Sequence, residues 1–239
     1  MKRLLLLVCL GLVGCAKGHV QTTASAQAGP LPPPAHVVIT DFTITSDQVH
    51  LDTGLGAQLR RGASGEAASA AITQAAQETQ AALTDTLAKK LAAYGLPVER
   101  LPASTPPPPG SLLVQGQIVS VDQGNRTRRT LIGLGAGKSS VTAEAQLYYL
   151  DDPSAPRFLQ SFTGSADSGR MPGAAETMGA GAAAQHVATS AAVSVAAHTG
   201  DEMYRTGDAA NAAKLANALA LQIGGYAVQQ GWIAPNAVQ

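Results

Sequence analysis

Apolar and polar residues alternate along HVVITDFTI (36–44), a β-branched run that predicts a strand. A Gly/Arg-rich stretch at 54–65 ends that pattern. From Glu66 to Tyr94 the residues Ile72, Ala76, Thr79, Leu83, Leu87, Leu91 and Tyr94 recur at helical spacing and predict one long amphipathic helix. Gly95 stands where a left-handed cap would close it, and Pro97 follows shortly after. LPVERL (96–101) reads as a short strand. TPPPPG (105–110) lacks the amide donors of a ladder and reads as a surface connection.

Alternation returns in SLLVQGQIVSVDQG (111–124), SSVTAEAQLYYLDD (139–152) and RFLQSFTGSAD (157–167). Leu113, Gln115, Gln117 and Val119 fall on one side of the first, with Leu112, Val114 and Ile118 on the other. Val141, Ala143, Ala145, Leu147 and Tyr149 keep step in the second. With turn chemistry at Asp152-Pro153-Ser154, these segments predict an antiparallel meander from 111 to 167.

The last third is helical but uneven. Residues 173–199 are rich in Gly, Ala and Ser, and Gly179, Ala183, Val187 and Ala191 form a small-residue stripe of the kind that pairs helices in lipid. Glu176, Gln185, His186 and His198 interrupt it, so the segment reads as a helix packed in protein or a partly ordered one. Asp208 reads as the cap of a second amphipathic helix marked by Leu215, Leu219, Ile223 and Tyr226. It ends at Gly231-Trp232-Ile233, where an apolar pair past the cap would close back onto the core. The element order predicts an α+β fold. A single domain over 36–235 would hold a largely antiparallel or mixed sheet, packed by the long helix and the C-terminal helices.

The amino terminus follows another logic. In MKRLLLLVCLGLVGC, two cations precede an apolar core too short for a bilayer span, which needs about 20 residues. The core suits a secretory leader. Leu12-Val13-Gly14-Cys15 resembles the lipobox of bacterial lipoproteins, which implies a leader over 1–14, a diacylglyceryl group on the Cys15 thiol, and acylation of the new amino terminus. Acyl chains anchor at about 0.8 kcal/mol per buried CH2, so two or three hold firmly. The partner expected first is therefore the membrane, through lipidated Cys15. Ala16, where an aspartate would signal inner-membrane retention, favours the outer membrane, facing the periplasm. Residues 15–35, small and polar and then proline-rich, read as a flexible tether that lifts the domain from the bilayer.

Charge and composition remove several classes. Cys9 leaves with the leader and Cys15 is alkylated, so no thiol remains for redox chemistry, nucleophilic catalysis or a thiolate metal cage. Without Lys2 and Arg3, 14 basic side chains face 16 acidic ones, a formal charge of −2, and three Phe and one Trp offer little base stacking. No nucleic-acid partner is expected.

GLGAGKSS (133–140) imitates a phosphate loop, but the first glycine of that motif should fall at 132, which is Ile132. The segment also leads into a strand pattern, whereas a phosphate loop must open a helix. No nucleotide and no cofactor is expected there. Gly133, Gly135 and Gly137 read as a structural loop in which the backbone turns and approaches a neighbour closely.

No G-x-S-x-G elbow occurs, and the histidines at 19, 36, 50, 186 and 198 show no helical zinc spacing. Asp151-Asp152 reads as turn chemistry, so no catalytic residue and no metal site is nominated. The run Asn125-Arg126-Thr127-Arg128-Arg129 has two readings. One is a solvated hairpin loop. The other is a contact surface of Arg126, Arg128, Arg129 and Lys138 facing lipid phosphates or an acidic glycan, with Leu131, Ile132 and Leu134 as an apolar tip.

A lipobox, a strand-helix-strand opening, RRTLIGLGAGKS (128–139) and a last helix ending Gly-Trp-Ile together resemble an uncharacterised family of bacterial lipoproteins, DUF 4410. The similarity runs from about Val37 to Ile233. It implies a secreted, envelope-attached α+β domain and assigns no catalytic residue. The function expected is thus a non-catalytic interaction or assembly module of the cell envelope, with an envelope protein, lipid headgroup or acidic glycan as partner. The alternative is a periplasmic enzyme or anionic-ligand carrier with its site around the Arg126–Lys138 loop.

Overall fold

The computed structural model of the chain describes residues 18–26, 29–62, 65–132, 136–152, 154–169 and 207–238. Cys15, Gly133, Leu134, Gly135 and the 173–199 segment lie outside the described residues. β2 (His36–Thr40) pairs in parallel with β4 (Val98–Leu101) on one side and with β5 (Ser111–Asp122) on the other. Past β5 the ladder turns antiparallel through β6 (Ser140–Leu150) and β7 (Arg157–Asp167) to β1 (His19–Ser25). The result is one mixed seven-stranded sheet of order β1-β7-β6-β5-β2-β4, with β3 (Val49–His50) pairing β5 further along. The fold is α+β, and the 111–167 meander forms as the alternation predicts.

Register explains the alternation. Leu112 stands opposite Tyr149, Val114 opposite Leu147, Ile118 opposite Ala143 and Val121 opposite Val141, all of them buried. Two helices cover that face. In α2 (Gly65–Ala93), Ala75, Thr79, Leu83, Leu87 and Leu91 form the buried stripe, each leucine contributing about 1.5–3 kcal/mol. In α4 (Gly207–Gln229), Leu215, Leu219 and Ile223 are buried among Ala212, Ala216, Ala220 and Ala227, whose small side chains let the helix sit close to its neighbours. Asp208 lies inside the first turn of α4, two residues later than a cap would stand.

Both helices end as the sequence suggests. Leu96 N–H reaches the Leu91 carbonyl at 3.3 Å, and Trp232 N–H reaches that of Ala227 at 2.9 Å. Trp232 then packs on Tyr149 and Tyr226 and returns the chain end to the core. Since β4 and β5 both run parallel to β2, the 102–110 connection must carry the chain back past a four-residue strand. Its prolines favour an extended path of about 3.1 Å per residue, which suits that return.

Three expectations are corrected. Residues 15–35 are not a free tether over their described part. His19–Ser25 is an edge strand on β7, Val20 and Leu31 are buried, and Leu31 is held by Gln230 Oε1 at its N–H and by Trp232 Nε1–H at its carbonyl. The sheet thus takes in His19–Ser25, ahead of the expected boundary at 36. The Gly/Arg-rich stretch contains a short helix, α1 (Leu55–Arg61). The basic run is also helical, α3 (Arg126–Leu131), because Asn125 Oδ1 accepts the Arg128 amide at 2.9 Å and caps it.

Candidate functional site

One end of the sheet gathers every unusual feature of the sequence. β5 and β3 finish there in register, His50 beside Asp122, while β6 starts there with Ser140 beside Asp167. β1 begins at the same end, His19 opposite Ser165. α1 and α3 therefore leave two adjacent parallel strands side by side. They touch at their starts: Asn125 Nδ2 donates to Thr53 Oγ1 at 3.3 Å, and a Cβ on Gly54 would lie 2.8 Å from Thr127 Oγ1.

Gly137 packs against the start of α3 at this end. Gly137 has φ +71°, and a Cβ there would fall 2.3 Å from the Asn125 carbonyl oxygen, whose own N–H bonds the Gly137 carbonyl at 3.1 Å. Here a side chain is excluded by both torsion and space. This is the role expected of Gly137; Gly133 and Gly135 lie outside the described residues. Ser139, buried, follows. Its carbonyl and hydroxyl accept the Asn211 amide at 3.1 and 3.0 Å, and its N–H donates to Ser168 Oγ at 3.3 Å.

Lys138 has an acidic partner on β7. Its ammonium bonds Asp167 Oδ2 at 3.1 Å, while Lys214 Nζ donates to the Asp167 carbonyl at 3.2 Å. Burial pushes the Asp167 carboxyl up. The Gly169 amide and the bond and charge of Lys138, with the charge of Lys214, outweigh it and hold the carboxyl below its usual range. A lowered folded value means stability that is complete above the ordinary aspartate range, near ~4, and lost as pH falls through the folded value. Both partners are over a third exposed (36% and 41%), so water screens the pair and Asp167→Asn should cost about 0.5–1 kcal/mol at neutral pH. Urea melts should show that difference shrinking below about pH 4. A gap that stays constant from pH 7 to 2 contradicts the assignment.

Of the expected contact residues, Arg126, Arg128 and Arg129 lie on α3, and Arg128 is exposed. The sequence reading missed α1. Leu55 and Leu59 sit one helical turn apart on it, 73% and 83% exposed; Leu131, which ends α3, and Ile132, which follows it, are 59% and 49% exposed. The i, i+4 spacing of Leu55 and Leu59 in LGAQLRR is a signal that could have found them.

The other acidic and histidine candidates have structural uses. Asp152 Oδ1 accepts the Ser154 amide and hydroxyl, Asp151 pairs with Arg157 at 3.4 Å, and His36 stands 3.5 Å from Glu99. The sheet face away from α2 and α4 carries a shallow groove of about 340 Å³ lined by Thr40, Asp41, Gln115, Gln117, Glu144 and Gln146. Both of its carboxylates are engaged, Asp41 by Arg100 and Glu144 by Gln117 Nε2 at 3.1 Å. Among the described residues no cluster of three metal-ligating side chains occurs, and no helix is long and apolar enough to cross a membrane.

A family described as a domain of unknown function (DUF4410) matches residues 37–185. The match stops short of Ile233, so α4 lies beyond it. No curated protein matches the chain. Among solved structures, the PelC dodecamer from Paraburkholderia phytofirmans is similar at 16% identity and TM-score 0.31, covering 63% of this chain and 81% of that one. A PelC variant from the same organism, in another crystal form, gives 14% identity, TM-score 0.31 and the same coverage.

Proposed function

We propose, from the premise that this chain belongs to the DUF4410 family, that it is a lipid-anchored lipoprotein of the bacterial envelope. It acts without catalysis, as an interaction or assembly module on the periplasmic side of the outer membrane. The observation that carries this reading is the place where the chain joins the fold. Only Ala16 and Lys17 separate the lipobox cysteine from Gly18, whose backbone is wedged against α4; a Cβ there would meet the Lys214 carbonyl oxygen at 2.5 Å. An anchor at Cys15 would hold the domain at a fixed end, leaving the polar sheet face and its groove free for a partner. The alternative of an anionic-ligand carrier loses support, because Lys138 is committed to Asp167.

Cys15→Ser should leave an unprocessed precursor that retains residues 1–14 and washes off membranes in carbonate. The wild-type chain should show a diacylglyceryl cysteine at its amino terminus by mass spectrometry. Equal membrane retention of the two proteins would sink the proposal.

A further inference from the structure

The geometry points to a membrane-seating tip, formed by Leu55 and Leu59 of α1 with Leu131 and Ile132 beside α3, that rests in the interface of the bilayer holding the acyl chains; this rests on the lipoprotein reading above. Of the six exposed large hydrophobic side chains among the described residues, three belong to these two short helices and a fourth, Ile132, directly follows α3, so the apolar exposure is concentrated, not scattered. The occupant follows from the chain's path. β1 begins at this same end of the sheet, and from Cys15 to Gly18 the backbone reaches at most about 11 Å. An anchor so short brings the end bearing the tip down to the headgroups.

Charge agrees with that surface. α1 and α3 together hold Arg60, Arg61, Arg126, Arg128 and Arg129 and no acidic residue, although the whole chain is formally neutral. Leucines with arginines on short helices are the composition of interfacial elements on anionic lipid. The tip adds depth and orientation to an attachment that the acyl chains supply. It fixes the sheet end-on, with the β6–β7 turn farthest from the bilayer.

The test uses the lipidated full chain in vesicles of phosphatidylethanolamine and phosphatidylglycerol with a nitroxide on the acyl chain near the headgroup. Because Cys15 is alkylated and Cys9 leaves with the leader, a single introduced cysteine takes a fluorescent label alone. Labels on Leu59→Cys and Leu131→Cys should be quenched about threefold or more beyond a label on Ser154→Cys, which is exposed in the β6–β7 turn. If the chain floats with the vesicles but the tip labels are quenched no more than Ser154→Cys, the tip is refuted while the lipoprotein reading stands. If the tip labels escape both the nitroxide and aqueous iodide, the chain itself or a second copy covers them, and the proposal is overturned. If the chain does not float at all, the lipoprotein reading fails and takes the tip with it.

Discussion

Gly116→Val should destabilise the domain by about 3 kcal/mol or more, lowering its melting temperature by about 6–12 °C. Gly116 stands on the helix-covered face of β5, between Gln115 and Gln117, opposite Ala145. A Cβ there would lie 2.3 Å from the Glu144 carbonyl oxygen and 2.4 Å from the Phe42 ring. Neither neighbour can yield. The carbonyl belongs to the central β6 ladder, and Phe42 is fully buried with its own carbonyl held by Gln80 Nε2 at 2.6 Å. The glycine is the space that Phe42 fills, so a large residue must displace a strand or a ring. Gly225→Ala is the contrasting case. It lies within α4 with nothing within 4 Å of its Cβ position, and alanine there should stabilise by about 0.5–1 kcal/mol. Denaturation midpoints of the two variants should move in opposite directions. Two shifts of the same sign would show that the packing around Phe42 is misassigned.

The contrast between these glycines also shows what a sequence can and cannot reveal. α2, α4 and the meander were legible because each buries one side over many residues, and burial leaves a period. α1 and α3, of seven and six residues, complete too few turns to leave more than the single i, i+4 pair of Leu55 and Leu59. β1 was illegible for a different reason. Its HVQTTAS buries Val20 alone and is held by backbone bonds to β7, which carry no side-chain signature. The partner of Lys138 was illegible because Asp167 is 29 residues away and reaches it only through the β6–β7 register. Gly137 turns through positive φ against Asn125, with Lys138 next to it bonded to Asp167. Arg126, Arg128, Arg129, Leu131 and Ile132 were named from the sequence, whereas Leu55 and Leu59 needed the β3 and β5 ends to bring α1 against α3.

Replacing residues 19–34 by an equally long Gly/Ser segment should cost about 3–6 kcal/mol, the contribution of two buried aliphatic side chains at about 1.5–3 kcal/mol each. Val20 closes the core over Gly164, and Leu31 packs at the other end of the sheet beneath Trp232. Between them the chain runs down β1 and then crosses from that edge to β2, a distance of four strand spacings, or about 19 Å. Pro30, Pro32, Pro33 and Pro34 restrict this crossing in the unfolded chain too, so glycine would raise the entropy cost of forming it. The replacement would also leave β7 as a bare edge, an invitation to pairing with another chain, so light scattering should rise alongside the lower urea midpoint. A tether predicts neither change. An unaltered midpoint with a monodisperse product would restore the tether.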